Sequence, residues 1–146
     1  MSVKYKRGIT VSSIVVYVIL FFAFTTITTV ISSRFNKNLF NDRGTAINIT
    51  AINKLEYNLL SSSNESHNVE TVVNGNKTTV TFSNGDVYVF DLDNNTIYKN
   101  GGKLVEFVIK CDVTVVDKIL NLDITVNKYT NQIERNIKIN IPIVEV

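Results

Sequence analysis

The chain has 146 residues, a formal net charge of +2, 45 % hydrophobic residues and 19 % charged ones. That length supports one domain of ordinary size. The small net charge, with basic residues scattered after residue 34, excludes the basic stripe of a nucleic-acid-binding protein.

Lys4, Lys6, Arg7 and Gly8 open the chain, and residues 9–33 then carry no charge over 25 positions. A helix of roughly 20 residues crosses the hydrocarbon core, so this run is long enough to span with some tilt. One charge at its centre would cost roughly 2.5–3.5 kcal/mol. Thr10, Ser12, Ser13, Thr25, Thr26, Thr28 and Thr29 interrupt the apolar run. Their hydroxyls can bond back to a carbonyl one turn earlier, which suits a helix that also packs against other helices. A cleaved secretory signal has a shorter apolar core and a small-residue cleavage site after it, and Ile31-Ser32-Ser33-Arg34-Phe35 is a poor one. The basic cluster before residue 9 is tighter than that of Arg34, Lys37 and Arg43, and places the N-terminus inside.

The helix is expected to continue through residues 34–63. Leu39, Phe40, Ile47, Ile52, Leu55, Leu59 and Leu60 recur at steps that suit one helical face. Gly44 weakens a helix by roughly 1 kcal/mol relative to Ala and marks a bend there. Lys54, Glu56 and Asn58 would face solvent. The polar run from Ser61 to Asn68 ends the helix, since Ser and Asn compete for its backbone.

From Val69 onward the pattern is of strands. Thr78-Thr79-Val80-Thr81-Phe82 and Val87-Tyr88-Val89-Phe90 flank Ser83-Asn84-Gly85-Asp86, a hairpin turn in which Asn-Gly takes positive φ readily. Asn74-Gly75-Asn76, Asp93-Asn94-Asn95 and Asn100-Gly101-Gly102 make further turns, so short strands meander. Residues 104–110 suit a strand or a connector equally. Residues 113–116 and 119–126 read as strands, and residues 128–132 turn the chain. Ile133, Ile137, Ile139, Ile141 and Ile143 then line one face, with Arg135, Asn136, Lys138 and Asn140 mostly on the other. The alternation implies an antiparallel sheet with one buried face, which the helix before Ser61 covers. The fold class is α+β: a long N-terminal helix, membrane-spanning in its first half, packed on a C-terminal antiparallel β-sheet over residues 64–146.

The string Lys6-Arg7-Gly8-Ile9-Thr10-Val11, joined at once to the uncharged run, resembles the class III signal of type IV prepilins. The stretch Phe82–Phe90 followed by Asn95-Thr96-Ile97-Tyr98-Lys99-Asn100 is similar to minor pilins and pseudopilins of Gram-positive bacteria. The resemblance covers the whole chain in layout and residues 4–33 in motif. It implies a leader of residues 1–8, cut by a prepilin peptidase between Gly8 and Ile9. Ile9 would become the methylated first residue, and residues 9–33 would form a transmembrane and later filament-core helix. The family usually carries Glu at the fifth mature position, where it is thought to pair with a neighbour's terminal amine. Here that position is Ser13, which implies a minor subunit, of tip or initiation-complex type.

No chemistry competes with this reading. No Ser sits in a Gly-x-Ser-x-Gly elbow, and no Gly-rich phosphate loop occurs. His67 lies in a polar run with no second His or Cys beside it to build a metal site. Asp86, Asp91 and Asp93, with neighbouring Asn residues, match turn capping better than a calcium loop. Cys111 cannot form an internal disulfide; it reads as a small core residue, with an intermolecular disulfide the alternative. No enzyme activity, cofactor or metal is expected. The partners expected are other pilin subunits through the N-terminal helix, the prepilin peptidase, an assembly platform with its ATPase, and the membrane. The expected setting is a single-pass protein with its sheet domain extracytoplasmic, in a pilus, secretion or competence filament at the cell surface. A single-pass anchored extracytoplasmic binding module is the alternative.

Overall fold

The computed structural model describes residues 3–129 and 131–142, with side chains from residue 11 onward. The first element, α1, is a helix over Val3–Asn64. The chain divides into two compact units, Met1–Phe40 and Asn41–Val146.

In the first unit α1 is regular and bare. Apolar side chains from Val11 to Ile31 are exposed, several of them, such as Tyr17 and Phe24, by about 70 %. The helix is long and apolar enough to cross a membrane, and none of its most apolar stretch is buried. The threonine hydroxyls do bond backwards: Thr26 donates to Phe22 O, Thr28 to Phe24 O and Thr29 to Thr25 O, each at 2.8 Å. These groups therefore carry their own acceptors, and lipid need supply none.

In the second unit the α1 residues bury a narrower stripe than the apolar periodicity indicates. It runs through Gly44, Asn48, Ile52, Leu55, Leu59, Ser62 and Ser63 at steps of three and four. Ile47 and Leu60, expected on that face, are exposed, and so are Leu39 and Phe40, which belong to the first unit. The sheet side is covered instead by three apolar residues with small and polar ones at both ends. The helix is unbroken at Gly44 and ends at Asn64, inside the expected Ser-rich run.

Eight strands follow among the described residues: β1 Val69–Asn74, β2 Lys77–Phe82, β3 Val87–Asp91, β4 Thr96–Lys99, β5 Gly102–Glu106, β6 Val108–Val116, β7 Ile119–Lys128 and β8 Asn131–Asn140. All pairs are antiparallel hairpin neighbours, as a meander requires. They form two sheets rather than one, β1 to β5 in order and β6 to β8 in order. The break falls at Phe107, between β5 and β6. The Asn-Gly turns stand where expected, with Gly75, Gly85 and Gly101 at positive φ.

Ile52, Leu55 and Leu59 of α1 meet Val80, Phe82, Tyr88, Phe90 and Ile97 of the first sheet and Leu120, Leu122, Ile124 and Val126 of the second in one core. Phe82 and Tyr88 pack edge to face at 5.6 Å. On β8, Ile137 and Ile139 are buried as expected, and so is Ile141 just beyond it. Ile143 lies outside the described residues. Arg135 shares their parity and turns toward α1 rather than away, donating to Asn53 Oδ1 at 2.7 Å and to Glu56 Oε2 at 3.1 Å.

Candidate functional site on the N-terminal helix

The residues singled out for processing and assembly all fall on α1. Met1 and Ser2 lie outside the described residues. Gly8 and Ile9 are helical in backbone, and their side chains are outside the described set. Ser13 is exposed on the helix surface. Gly8, Ile9 and Ser13 are therefore neighbours along one helix, and their setting is the uncovered apolar surface that follows them. That surface can transfer between lipid and other apolar helices, because its side chains and back-bonded hydroxyls need no polar partner.

What fixes the sheet domain to its own stretch of helix is a set of polar contacts that periodicity does not reveal. The tightest surrounds Ser62, which is fully buried. Its hydroxyl has one proton and lies within reach of the Asp86 carboxylate, the best acceptor present. With that proton committed, Tyr88 donates its hydroxyl proton to Ser62 Oγ at 2.7 Å. The Lys99 ammonium sits 3.1 Å from Asp86 and 5.5 Å from the Tyr88 ring centroid. The Asn100 amide donates to Asp86 at 2.8 Å while its carbonyl accepts the Val87 N–H at 2.8 Å. The Ser62 hydroxyl above all, helped by Asn100 and Lys99 against the cost of burial, holds the Asp86 carboxyl at about 2. Burial opposes the charge on Lys99, but Asp86 and Tyr88 outweigh it and raise its pKa. Ser63 donates to Asn140 O at 2.8 Å, and Ser66 Oγ accepts the Asn84 N–H at 3.3 Å. The end of α1 is thus tied to both sheets.

A second tie lies near Gly44. Asn48 is fully buried; its carbonyl accepts the Lys128 N–H at 3.0 Å and its amide donates to Asn131 O. Asn131 in turn donates to Thr45 Oγ1 at 3.0 Å. A Cβ on Gly44 would stand 3.0 Å from Lys128 O, so the absence of a side chain lets this turn sit against the helix.

The Asp and Asn turns are satisfied within the chain. Asp91 pairs with Lys77 at 2.9 Å and accepts from the Asn94 side chain at 2.8 Å, and the Lys77 hydrogen bond foremost lowers its pKa. Asp93 accepts from Asn76 at 2.9 Å. Among the described residues no three His, Cys, Asp or Glu side chains converge on one point. Cys111 is buried, and desolvation, then Asp112 and Asp123, push its thiol up to about 12. No protein-family model matches the chain, no curated protein matches its sequence, and no solved structure matches its fold.

Proposed function

We propose that the chain is a minor pilin or pseudopilin, a non-enzymatic subunit of a type IV pilus or of a related type II secretion or competence filament. The observation that carries the reading is a division of labour. The Asn41–Val146 unit buries its own core, while the apolar half of α1 is exposed among the described residues and follows directly on Lys6-Arg7-Gly8. Apolar surface of that extent is stable only in lipid or against other apolar helices.

A prepilin peptidase cuts between Gly8 and Ile9 and methylates Ile9. The membrane stores residues 9–33 with the N-terminus cytoplasmic and the sheet domain outside. An assembly platform and its ATPase supply the work of extraction, and other pilin subunits then cover the helix. Ser13 brings no carboxylate to a neighbour's terminal amine, so the subunit enters filaments rarely, at a tip or in an initiation complex. The same Ser13 favours a second reading, a single-pass anchored extracytoplasmic module that never leaves the membrane.

Mass spectrometry of the mature chain from cells with an active prepilin peptidase separates the two. The filament reading expects a chain starting at methylated Ile9, and Gly8→Val should block that cut. A mature chain retaining residues 1–8 sinks it. Where the cut occurs, Ser13→Glu should raise the chain's share of purified filaments. An unchanged share would remove the role given to the missing charge.

A further inference from the structure

The Asn41–Val146 unit carries a concave apolar surface of its own. One wall is the exposed flank of α1 with Ile47, Ala51 and Lys54; the other is β5 and Phe107. The part beneath β5 has a volume of about 330 Å³, and an apolar shelf over Ile47, Ala51 and Leu104 has about 370 Å³.

A strand shows alternate side chains to opposite faces. In β5, Lys103 and Glu106 pair with Tyr98 and Thr96 on one face, and Val105 pairs with Ile97 on the buried face, with a bulge at Leu104 between them. All four residues line this groove. A groove that touches both faces of a strand runs along its edge. That edge is unpaired among the described residues, since β5 is the last strand of its sheet and bonds only to β4. Its backbone N–H and C=O groups on that side are available to another strand.

Phe107 closes one end. Its φ is +66°, a region that bulky residues rarely adopt. Two backbone bonds hold it there: Asn127 N–H to Phe107 O at 2.9 Å, and Val108 N–H to Asn95 O at 3.0 Å. The conformation keeps the ring 41 % exposed at the groove, with the Lys128 ammonium 4.7 Å from its centroid. Lys54, Lys103 and Lys128 border the groove, and the one carboxylate in its lining, Glu106, is already bonded by Lys103 at 2.9 Å. The rim is cationic and the floor apolar.

We propose that this groove accepts an extended segment of another protein, acidic and apolar in alternation, which adds to β5 as a sixth strand. At about 3.3 Å per residue the β5 wall takes four or five residues. Alternate apolar side chains settle on Ile47 and Leu104, and the carboxylates between them meet Lys54 and Lys128. Such an acceptor edge serves an anchored module as readily as a filament subunit, so its test is separate from that of leader cleavage.

The full chain in nanodiscs of zwitterionic lipid is titrated with fluorescent six-residue peptides. A peptide alternating Val and Glu should bind saturably, and one alternating Val and Lys at least about tenfold more weakly. Lys54→Glu, an exposed substitution that should leave the circular dichroism spectrum unchanged, should narrow or invert that preference. Two further Val-Glu peptides, N-methylated on one or the other set of alternate residues, test the edge itself. One set should abolish binding and the other should spare it. Equal binding of the acidic and basic peptides, no binding of either, or indifference to both methylation patterns overturns the proposal.

Discussion

The two halves of α1 solve the same problem in opposite ways. Each carries large apolar side chains. Around Ile52, Leu55 and Leu59 the chain supplies its own cover, and these residues are fully buried. Val16, Leu20 and Phe24 are exposed among the described residues. The covered half is the less greasy one: only three of its large apolar residues point inward, and Asn48, Ser62 and Ser63 complete the stripe. Burial here follows what the sheets bring to the helix, not how apolar the helix is. The uncovered half is apolar on all sides, the pattern of a helix surrounded by lipid or by other helices.

The sharpest way to break that contrast is to make one truncation on each side of it. Leu55→Ala should cost about 2–5 kcal/mol in chemical denaturation of the full chain in detergent, because it opens a cavity in a packed core. Leu20→Ala should leave the unfolding of the sheet domain unchanged. Equal losses would mean that the bare half also holds the domain together. Next in size is Asn48→Ala. It leaves the half-buried Lys128 N–H and Asn131 carbonyl without this partner, for a loss of about 2–3 kcal/mol. If the loss is no greater than that of an exposed control such as Asn38→Ala, Asn48 is not the tie described.

The tie at Ser62 gives a pH signature. The Asp86 carboxyl is near 2 in the folded protein against an ordinary 3.8. A lowered carboxyl contributes stability that is fully present above the unfolded value and is lost as pH falls through the folded one. The pair of values corresponds to about 2 kcal/mol. Asp86→Asn should therefore lose about that much at pH 7 and flatten the fall in stability between pH 4 and pH 2. Some slope should remain, since Asp91 is also held low by Lys77. An unaltered acid limb would assign the slope to other carboxylates.

The sequence makes the α+β layout readable because its signals are local. An uncharged run announces the helix, and Asn-Gly pairs announce the turns at Gly75, Gly85 and Gly101. The split into two sheets is not readable. It turns on Phe107, a bulky residue at positive φ in Glu106-Phe107-Val108, where no Gly, Pro or Asn marks a break. The buried stripe of α1 is hidden for a related reason: Asn48, Ser62 and Ser63 are buried for their hydrogen bonds, and apolar periodicity cannot register a polar residue that faces inward. Arg135 misleads likewise, because Asn53 and Glu56 receive it on the inner side. The proposed processing site is the reverse case. Gly8, Ile9 and Ser13 carry meaning through their order in the chain, and the geometry adds to them only the bare helix that follows.

Gly44 offers the smallest effect and a clear sign. On helix propensity alone Gly44→Ala should stabilise by about 1 kcal/mol. A bend at Gly44 would make the substitution harmful by straightening it, but α1 runs through Gly44 without a break. The obstacle is the turn packed on it. An added Cβ would meet Lys128 O at 3.0 Å and Tyr129 Cδ2 at 3.2 Å. The Tyr129 ring is exposed and can swing aside. The Lys128 carbonyl cannot, because the same residue's N–H is bonded to buried Asn48. Gly44→Ala should therefore destabilise the sheet domain by about 1 kcal/mol in spite of the helix gain. In an Asn48→Ala background, where the turn is free to shift, the same substitution should become neutral or stabilising. A double-mutant cycle with no coupling between the two sites would show that the turn does not rest on the helix through them.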